Sequence, residues 1–291
     1  MKIGIGLPAS IPGVDPGLVL EWARRAEQGP FVSLGLIDRL VYPNLEPMIT
    51  LGAVAAVTSR IRLMTTVLLA PLRNTAILAK EAATLDAYSR GRLTLGLGIG
   101  AREDDFRAAG VPFHRRGKIF DEQLALMKRI WSGEPLSAEI GPIGPKPVRP
   151  GGPEVLLGGY SPAAIRRLAR WGDGFIAGGS APDQAGQFFR LAEQVWQEAG
   201  KPGRPRLVGS VYYGLGENAV EKADAYLSHY YAFAGPRAHQ MARMIPTTPE
   251  AIRRTVQTFA EAGADELMLW ATIPELEQID LLAEAIAGLQ I

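Results

Sequence analysis

Short apolar runs alternate along the chain with segments whose apolar residues recur every three or four positions. The first pattern is typical of buried parallel strands and the second of amphipathic helices. It predicts strands at 2–7, 31–37, 62–69, 93–100, 207–214 and 266–270, and helices at 16–28, 47–58, 75–89, 114–132, 183–199, 217–233, 248–261 and 275–288. Two further strands joined by a helix are predicted within 154–179. Eight strands alternating with helices favour an α/β fold, a closed (β/α)8 TIM barrel. We expect one domain over 1–291, a length that a single barrel can fill.

The segment 133–153 interrupts this alternation, because it is rich in glycine and proline and carries no periodic apolar residues. Such a composition is not compatible with regular structure. We interpret it as a lid insertion over the barrel mouth, between strands four and five, since long loops inside compact domains are usually functional. A second lid is predicted from His229 to Pro246, whose Tyr and Phe side chains would enclose an apolar substrate.

Charge and cysteine content exclude several kinds of site and partner. Lys and Arg number 31 against 30 for Asp and Glu, so no basic face for nucleic acid is expected. The absence of cysteine excludes disulfides, thiolate nucleophiles and thiolate metal sites, and no HExxH or His-x-His pattern predicts a metal. No apolar run approaches the length of a membrane span. These features lead us to expect a cytoplasmic protein without nucleic-acid or membrane partners.

The stretch 62–100 carries the clearest signature, a strand, an Arg-containing turn, a helix ending at Ser-Arg-Gly, and a strand that ends in glycines. Its sequence VLLAPLRNTAILAKEAATLDAYSRGRLTLGLGIG closely resembles the bacterial luciferase-like monooxygenases, in which these elements occur in the same order. The resemblance implies a luciferase-like barrel and a flavin-type cofactor, either FMN or the deazaflavin coenzyme F-420. It does not define the substrate.

The expected cofactor contacts lie at the carboxyl ends of the strands, where barrels of this type place their active sites. The resemblance implies a non-prolyl cis peptide at Thr66-Val67 beneath the central flavin ring, next to Thr65. Glycines allow a flat ligand to approach the backbone, which favours Gly98 and Gly100. Two Gly-Gly turns are expected to hold the cofactor phosphate, because the first opens a helix. Their residues are Gly158, Gly159, Tyr160, Ser161, Gly178, Gly179 and Ser180.

Asp38, Arg39 and His114 are the candidate catalytic residues. The alternative for Asp38 and Arg39 is a surface ion pair, and a lone histidine such as His114 is more often structural. In the deazaflavin dehydrogenases of the family, a His stands where this chain has Arg39, and an acid where it has Ala101. Both departures count against acid/base catalysis of that type. The luciferase branch carries an Arg where this chain has Ile99, so backbone amides would have to hold the FMN phosphate.

Three functions remain open from the sequence. The first is a flavin-dependent oxidoreductase or monooxygenase that acts on a small apolar substrate with reduced FMN and oxygen. The second is hydride transfer with coenzyme F-420, and the third is a flavin-binding barrel without catalysis. We expect a homodimer, and a separate flavin reductase as partner if reduced FMN is used.

Overall fold

The computed structural model describes residues 1–235 and 237–289. Within these ranges the strands are all parallel and form one closed sheet. They are β1 (Lys2–Gly6), β2 (Ser33–Leu36), β3 (Arg62–Thr65), β4 (Leu68–Leu69), β5 (Leu93–Gly98), β6 (Glu154–Gly158), β7 (Gly174–Ala177), β8 (Arg206–Tyr213) and β9 (Glu266–Ala271). β3 and β4 are the two halves of the third barrel strand, and both pair with β5. The predicted (β/α)8 barrel is confirmed.

Helices surround the sheet and return the chain to the amino end of each following strand. They are α1 (Pro16–Gln28), α2 (Pro47–Val57), α3 (Thr75–Tyr88), α4 (Glu103–Ala109), α5 (Arg116–Ser132), α6 (Pro162–Trp171), α7 (Pro182–Glu198), α8 (Ala219–Tyr230), α9 (Arg237–Arg243), α10 (Pro249–Glu261) and α11 (Glu277–Ile286). Several begin where the sequence supplies an oxygen to cap the first free N–H groups, for example Asp15 before α1 and Asn74 before α3. Among the described residues, none of these helices has the length and apolarity to cross a membrane.

Some predicted boundaries are wrong. The helix predicted at 217–233 ends at Tyr230, and the chain then forms a short 3-10 turn and the separate helix α9. The strand predicted at 62–69 is interrupted at Thr66 and Val67. The helix predicted from residue 114 begins at Arg116, because the three residues before it form a 3-10 turn.

The barrel interior is layered from its amino end to its carboxyl end. At the amino end, Glu154 accepts hydrogen bonds from Arg62 (2.5 Å) and from Arg206, and Arg206 also donates to Glu266 (2.5 Å). These charges neutralise one another, as buried charges must. The next layer is apolar, and it contains Met64, Leu156, Ile176, Val208 and Met268. The interior is therefore a packed core, and the space for a ligand lies at the carboxyl ends of the strands.

The glycine- and proline-rich segment 133–153 does not cover the barrel mouth. It follows α5 and precedes β6, which places it at the amino ends of the strands. The N–H of Val148 donates to the carboxylate of Asp86 near the carboxyl end of α3 (2.8 Å), and Arg149 pairs with Asp173 just before β7 (2.8 Å). The prediction of a lid insertion at this position is wrong, because only segments that follow a strand can border the mouth.

Candidate active site

Asp38 follows β2 and is buried against the end of the third barrel strand. Its Oδ2 accepts the N–H of Leu69 (2.8 Å) and pairs with Arg73 (2.9 Å), which also reaches Glu46 (2.8 Å). Burial raises the pKa of Asp38, while the charge of Arg73 and the N–H of Leu69 act in the opposite direction. These contacts tie the loop after β2 to the turn before α3. A catalytic role for Asp38 stays a prediction.

Arg39 does not pair with its neighbour Asp38, because its side chain turns to the start of α4. Its Nε lies 3.2 Å from the carboxylate of Asp105, which is itself buried, and one Nη donates to Asp104 (3.4 Å). Asp105 also accepts the N–H of Val41 (2.6 Å). Arg39 is thus held by two carboxylates from the element that follows β5. Its catalytic role also stays a prediction.

The bond between Thr66 and Val67 is cis, as the resemblance implied. Thr65 is fully buried and its hydroxyl donates to the carbonyl oxygen of Gly96 (2.7 Å), so it presents no surface to a cofactor. Thr66 is bonded to Leu36 through its N–H (2.8 Å) and through its hydroxyl (3.3 Å). Thr66 and Val67 are both partly exposed, so either could contact a cofactor.

Val67 occupies the space that two of the expected cofactor-binding glycines leave open. A Cβ atom at Gly98 would lie 2.6 Å from Val67 Cγ2, and one at Gly158 would lie 2.7 Å from Val67 Cγ1. Both distances are too short for carbon atoms that are not bonded to each other. Any larger residue at either position would therefore collide with Val67 where it now lies. Gly100 has a positive φ of 75° and turns the chain towards Phe106 in α4. The glycines of β5 and β6 are thus explained by packing.

The turn after β6 leads directly into α6. Gly159 has a φ of +153°, and a Cβ atom there would lie 2.5 Å from that of Ala164. Ser161 caps the helix, because its Oγ accepts the N–H of Ala164 (3.3 Å). The exposed Tyr160 donates its hydroxyl to the carbonyl oxygen of Gly178 (2.6 Å), which joins this turn to the next one.

The turn after β7 contains a buried hydroxyl that no other described residue binds. The N–H of Gly179 already donates to Ser210 Oγ (3.1 Å), so it is not free to bind a phosphate. Ser180 Oγ, in contrast, is buried and has no hydrogen-bond partner among the described residues. Since buried hydroxyls are nearly always paired, this one fits a ligand oxygen. A phosphate between the two turns would supply that partner.

Helix α8 and the chain after it close one side of the mouth with aromatic rings. Tyr226 Oη lies 2.8 Å from Ser10 Oγ after β1, and Tyr42 Oη lies 2.8 Å from His229 Nδ1. Arg102, after β5, donates to the carbonyl oxygen of Tyr230 (3.1 Å). The segments that follow β1, β2 and β5 are therefore hydrogen-bonded to α8. The aromatic lid over 229–246 stays a prediction, and Pro236 within it lies outside the described residues.

His114 lies in the 3-10 turn before α5 and is exposed. Its ring is 6.1 Å from that of Phe113, which packs in turn on Phe106 of α4. No hydrogen bond links His114 to the other predicted site residues within the described chain. Its catalytic role stays a prediction.

Sequence reasoning missed several residues that build the site. Ser210 and Tyr212 of β8 face the interior of the barrel. Every second residue of this strand does so, and the alternation Arg206, Val208, Ser210, Tyr212 could have identified them. Asp105 and Arg73 were missed as partners of Arg39 and Asp38, and nothing in the local sequence marks these pairs.

A known protein family matches nearly the whole chain. The family model described as luciferase-like monooxygenase matches residues 1–286. An uncharacterized protein of Mycobacterium tuberculosis is 31% identical over 215 residues, which cover 65% of this chain and 76% of that protein.

Two solved structures share the fold. One is the monooxygenase RslO1 from Streptomyces bottropensis, with a TM-score of 0.79, 22% identity and 98% of both chains covered. The other is an F420-dependent secondary alcohol dehydrogenase in complex with an F420-acetone adduct, with a TM-score of 0.82, 21% identity and 98% of both chains covered. At these identities the two structures establish the fold, and the match of the family model over nearly the whole chain establishes the family. The chain is an oxidoreductase that belongs to the luciferase-like monooxygenase family.

Proposed function

We propose that this protein is a flavin-dependent monooxygenase that oxidises a small apolar organic molecule with reduced FMN and oxygen. The observation that carries the proposal is the buried hydroxyl of Ser180, which lacks a partner in the described chain and lies in the glycine turn after β7. Bound FMN would supply the redox chemistry, and the protein would bind it, orient the substrate and exclude water.

The phosphate of the cofactor fits between the turns after β6 and β7. Ser180 Oγ can donate to an anionic oxygen, and so can the hydroxyl of Ser161, which uses only its acceptor side in capping α6. The amino end of α6, a helix of ten residues, adds the positive end of its dipole. Neither turn carries a Lys or Arg, so hydroxyls and amides would hold the charge.

The flat part of the cofactor would rest on Val67, whose methyl groups cover Gly98 and Gly158 at the floor of the mouth. The opposite wall is aromatic, with Tyr212 and Tyr230 buried and Tyr231 packed 4.9 Å from Tyr230. An apolar floor and an aromatic wall exclude water and favour an apolar substrate.

The contacts of Asp38 and Arg39 favour a reaction with oxygen over one in which a side chain at the end of β2 transfers a proton. Arg39 is held by the carboxylates of Asp104 and Asp105, so its guanidinium is already engaged by the protein. Asp38 is engaged by Arg73 and Leu69. We propose that both residues position the loop after β2, and that the substrate is not activated there by an acid or a base.

Hydride transfer with coenzyme F-420 is the second candidate, because one pair of hydroxyls could serve a carbonyl substrate. Tyr212 Oη and Tyr231 Oη are 3.2 Å apart. Burial raises the pKa of both hydroxyls, so both stay protonated at neutral pH. Their mutual hydrogen bond uses one of the two protons, and the other could be donated to a carbonyl oxygen. This candidate is supported by the F420-dependent secondary alcohol dehydrogenase, which has the same fold.

Titration of the purified protein with FMN and, separately, with F-420, followed by absorbance and fluorescence, tests the cofactor assignment. The variant Ser180→Ala should weaken cofactor binding at least tenfold, about 1.4 kcal/mol, because a hydrogen bond to a charged oxygen is lost. It should not lower the free energy of unfolding, since this hydroxyl bonds to nothing in the described chain. The matched variant Ser161→Ala should cost about 1 kcal/mol of stability through the lost cap. Unchanged affinity in Ser180→Ala would refute the phosphate site.

A further inference from the structure

A cleft of about 520 Å³ opens beside α8, and the turns after β6 and β7 contribute no residue to its described lining. Its walls come from the chain after β1, the chain after β9 and one face of α8. Ile11, Ala225, Tyr226 and Ile273 supply apolar surface. The volume lies in the range of small-molecule sites, which is about 300–1,000 Å³.

The polar groups of the cleft carry no net charge to attract an ion. Lys222 of α8 and Glu275 after β9 form an ion pair across the rim, with Nζ 2.7 Å from Oε1. His229 is bonded to Tyr42 through Nδ1 (2.8 Å). Because the single cation and the single carboxylate of the lining neutralise each other, the cleft is suited to an uncharged apolar molecule.

Tyr226 and His229 form the wall between this cleft and the barrel mouth. Both line the cleft, and both are bonded to barrel loops, to Ser10 and Tyr42 respectively. On its inner side the ring of Tyr226 packs edge-on against Tyr212, 6.3 Å between centroids, at the carboxyl end of β8. Tyr226 therefore borders both the cleft and the aromatic wall of the mouth.

We propose that this cleft is the outer binding site for the uncharged apolar substrate, which passes from it between α8 and the barrel loops into the mouth. This inference rests on the proposed function, because it identifies the occupant as the substrate of that reaction. The continuity through Tyr226 is what selects the substrate as occupant, since the same side chain borders both spaces.

The test measures binding of the neutral dye N-phenyl-1-naphthylamine, whose fluorescence rises in apolar surroundings, to the full-length protein. Ala225 is exposed at the wall of the cleft, so Ala225→Trp should fill the cleft without disturbing the core. We expect the Kd of the dye to rise at least tenfold. A second variant, Ala225→Asp, should also weaken dye binding, because it adds a second carboxylate to a lining that contains the single cation Lys222.

The matched control is Val220→Trp, which adds the same indole to the opposite face of α8, where Val220 is exposed. It should leave dye binding unchanged. Equal loss in Val220→Trp, or unchanged binding in both Ala225 variants, would overturn the inference. FMN titration of the same variants separates the two proposals. Normal FMN binding together with dye binding insensitive to Ala225 refutes the cleft alone, whereas failure of the wild type to bind either flavin refutes the proposed function.

Discussion

Replacing Gly158 by alanine should reveal why the end of β6 carries a glycine. The new Cβ would lie 2.7 Å from Val67 Cγ1, while its distance to Val67 Cβ would be an ordinary 3.7 Å. The close contacts of that Cβ therefore come from the methyl groups of one side chain. If the glycine is required by packing, removing those methyl groups should make the alanine acceptable.

The structure sets the size of each effect. Gly158→Ala alone forces a buried overlap, which costs about 1–3 kcal/mol of stability. Val67→Ala alone removes two methyl groups, about 0.8 kcal/mol each and about 1.6 kcal/mol together. In the double variant the overlap is absent, so its cost should fall below the sum of the single costs by about 1–3 kcal/mol.

Urea unfolding of the wild type, both single variants and the double variant gives this coupling energy directly. Gly186→Ala in α7 is a suitable control, because the new Cβ would meet that of Ala262 at an ordinary 3.4 Å. That substitution should be neutral or should stabilise the protein by up to about 1 kcal/mol. FMN titration of the same four proteins then reports on the site.

Two results would refute the reasoning. If the costs of Gly158→Ala and Val67→Ala simply add, Val67 is not the reason for the glycine. If the double variant regains stability but binds FMN more weakly than Val67→Ala alone, the glycine is needed by the cofactor, which would then lie against the backbone of β6.

Two further predictions concern other parts of the chain. Partial burial acts to raise the pKa of Glu27, but the N–H groups of Ile61, Ser59 and Arg60 outweigh it and lower the pKa to about 2. The ionised carboxylate therefore stabilises the fold above pH 4.5, so Glu27→Gln should be less stable than wild type at pH 7, and urea unfolding should show this difference disappearing as the pH falls towards 2. Limited proteolysis within 133–153 should proceed at the same rate with and without FMN, because that segment packs near Asp86 and Asp173 at the amino ends of the strands. Protection of 133–153 by FMN would contradict that placement.

The barrel could be predicted from the sequence because its strands and helices are encoded locally. Apolar runs of strand length alternate with helical periodicity, and residues such as Asp15 and Asn74 mark where helices begin. The lid at 133–153 was predicted wrongly from composition alone. In a barrel of parallel strands, position in the chain order decides which end a loop occupies, and a segment that precedes a strand lies at the amino end.

The pairs that hold Asp38 and Arg39 could not be predicted, because their partners are distant in the chain. Asp38 binds Arg73, and Arg39 binds Asp105. Adjacent residues at the end of a strand point in different directions, so their partners come from different elements. The fold class predicts that such residues gather at the mouth, but only the three-dimensional arrangement shows that each is already occupied.

The glycines of the interior show why the floor of the site had to come from the structure. Gly6 leaves room that the ring of Trp270 fills, and Gly35 leaves room that Met268 and Trp270 fill together. Gly98 and Gly158 leave room that Val67 fills. The sequence shows the glycines but not the strand register that decides what faces them. A glycine at the end of a barrel strand is therefore evidence of close approach, and whether a cofactor or a side chain approaches it is decided by the neighbouring strands. At Gly98 and Gly158 the side chain of Val67 approaches. We therefore expect a cofactor contact at Ser180, where a buried hydroxyl has no partner in the described chain.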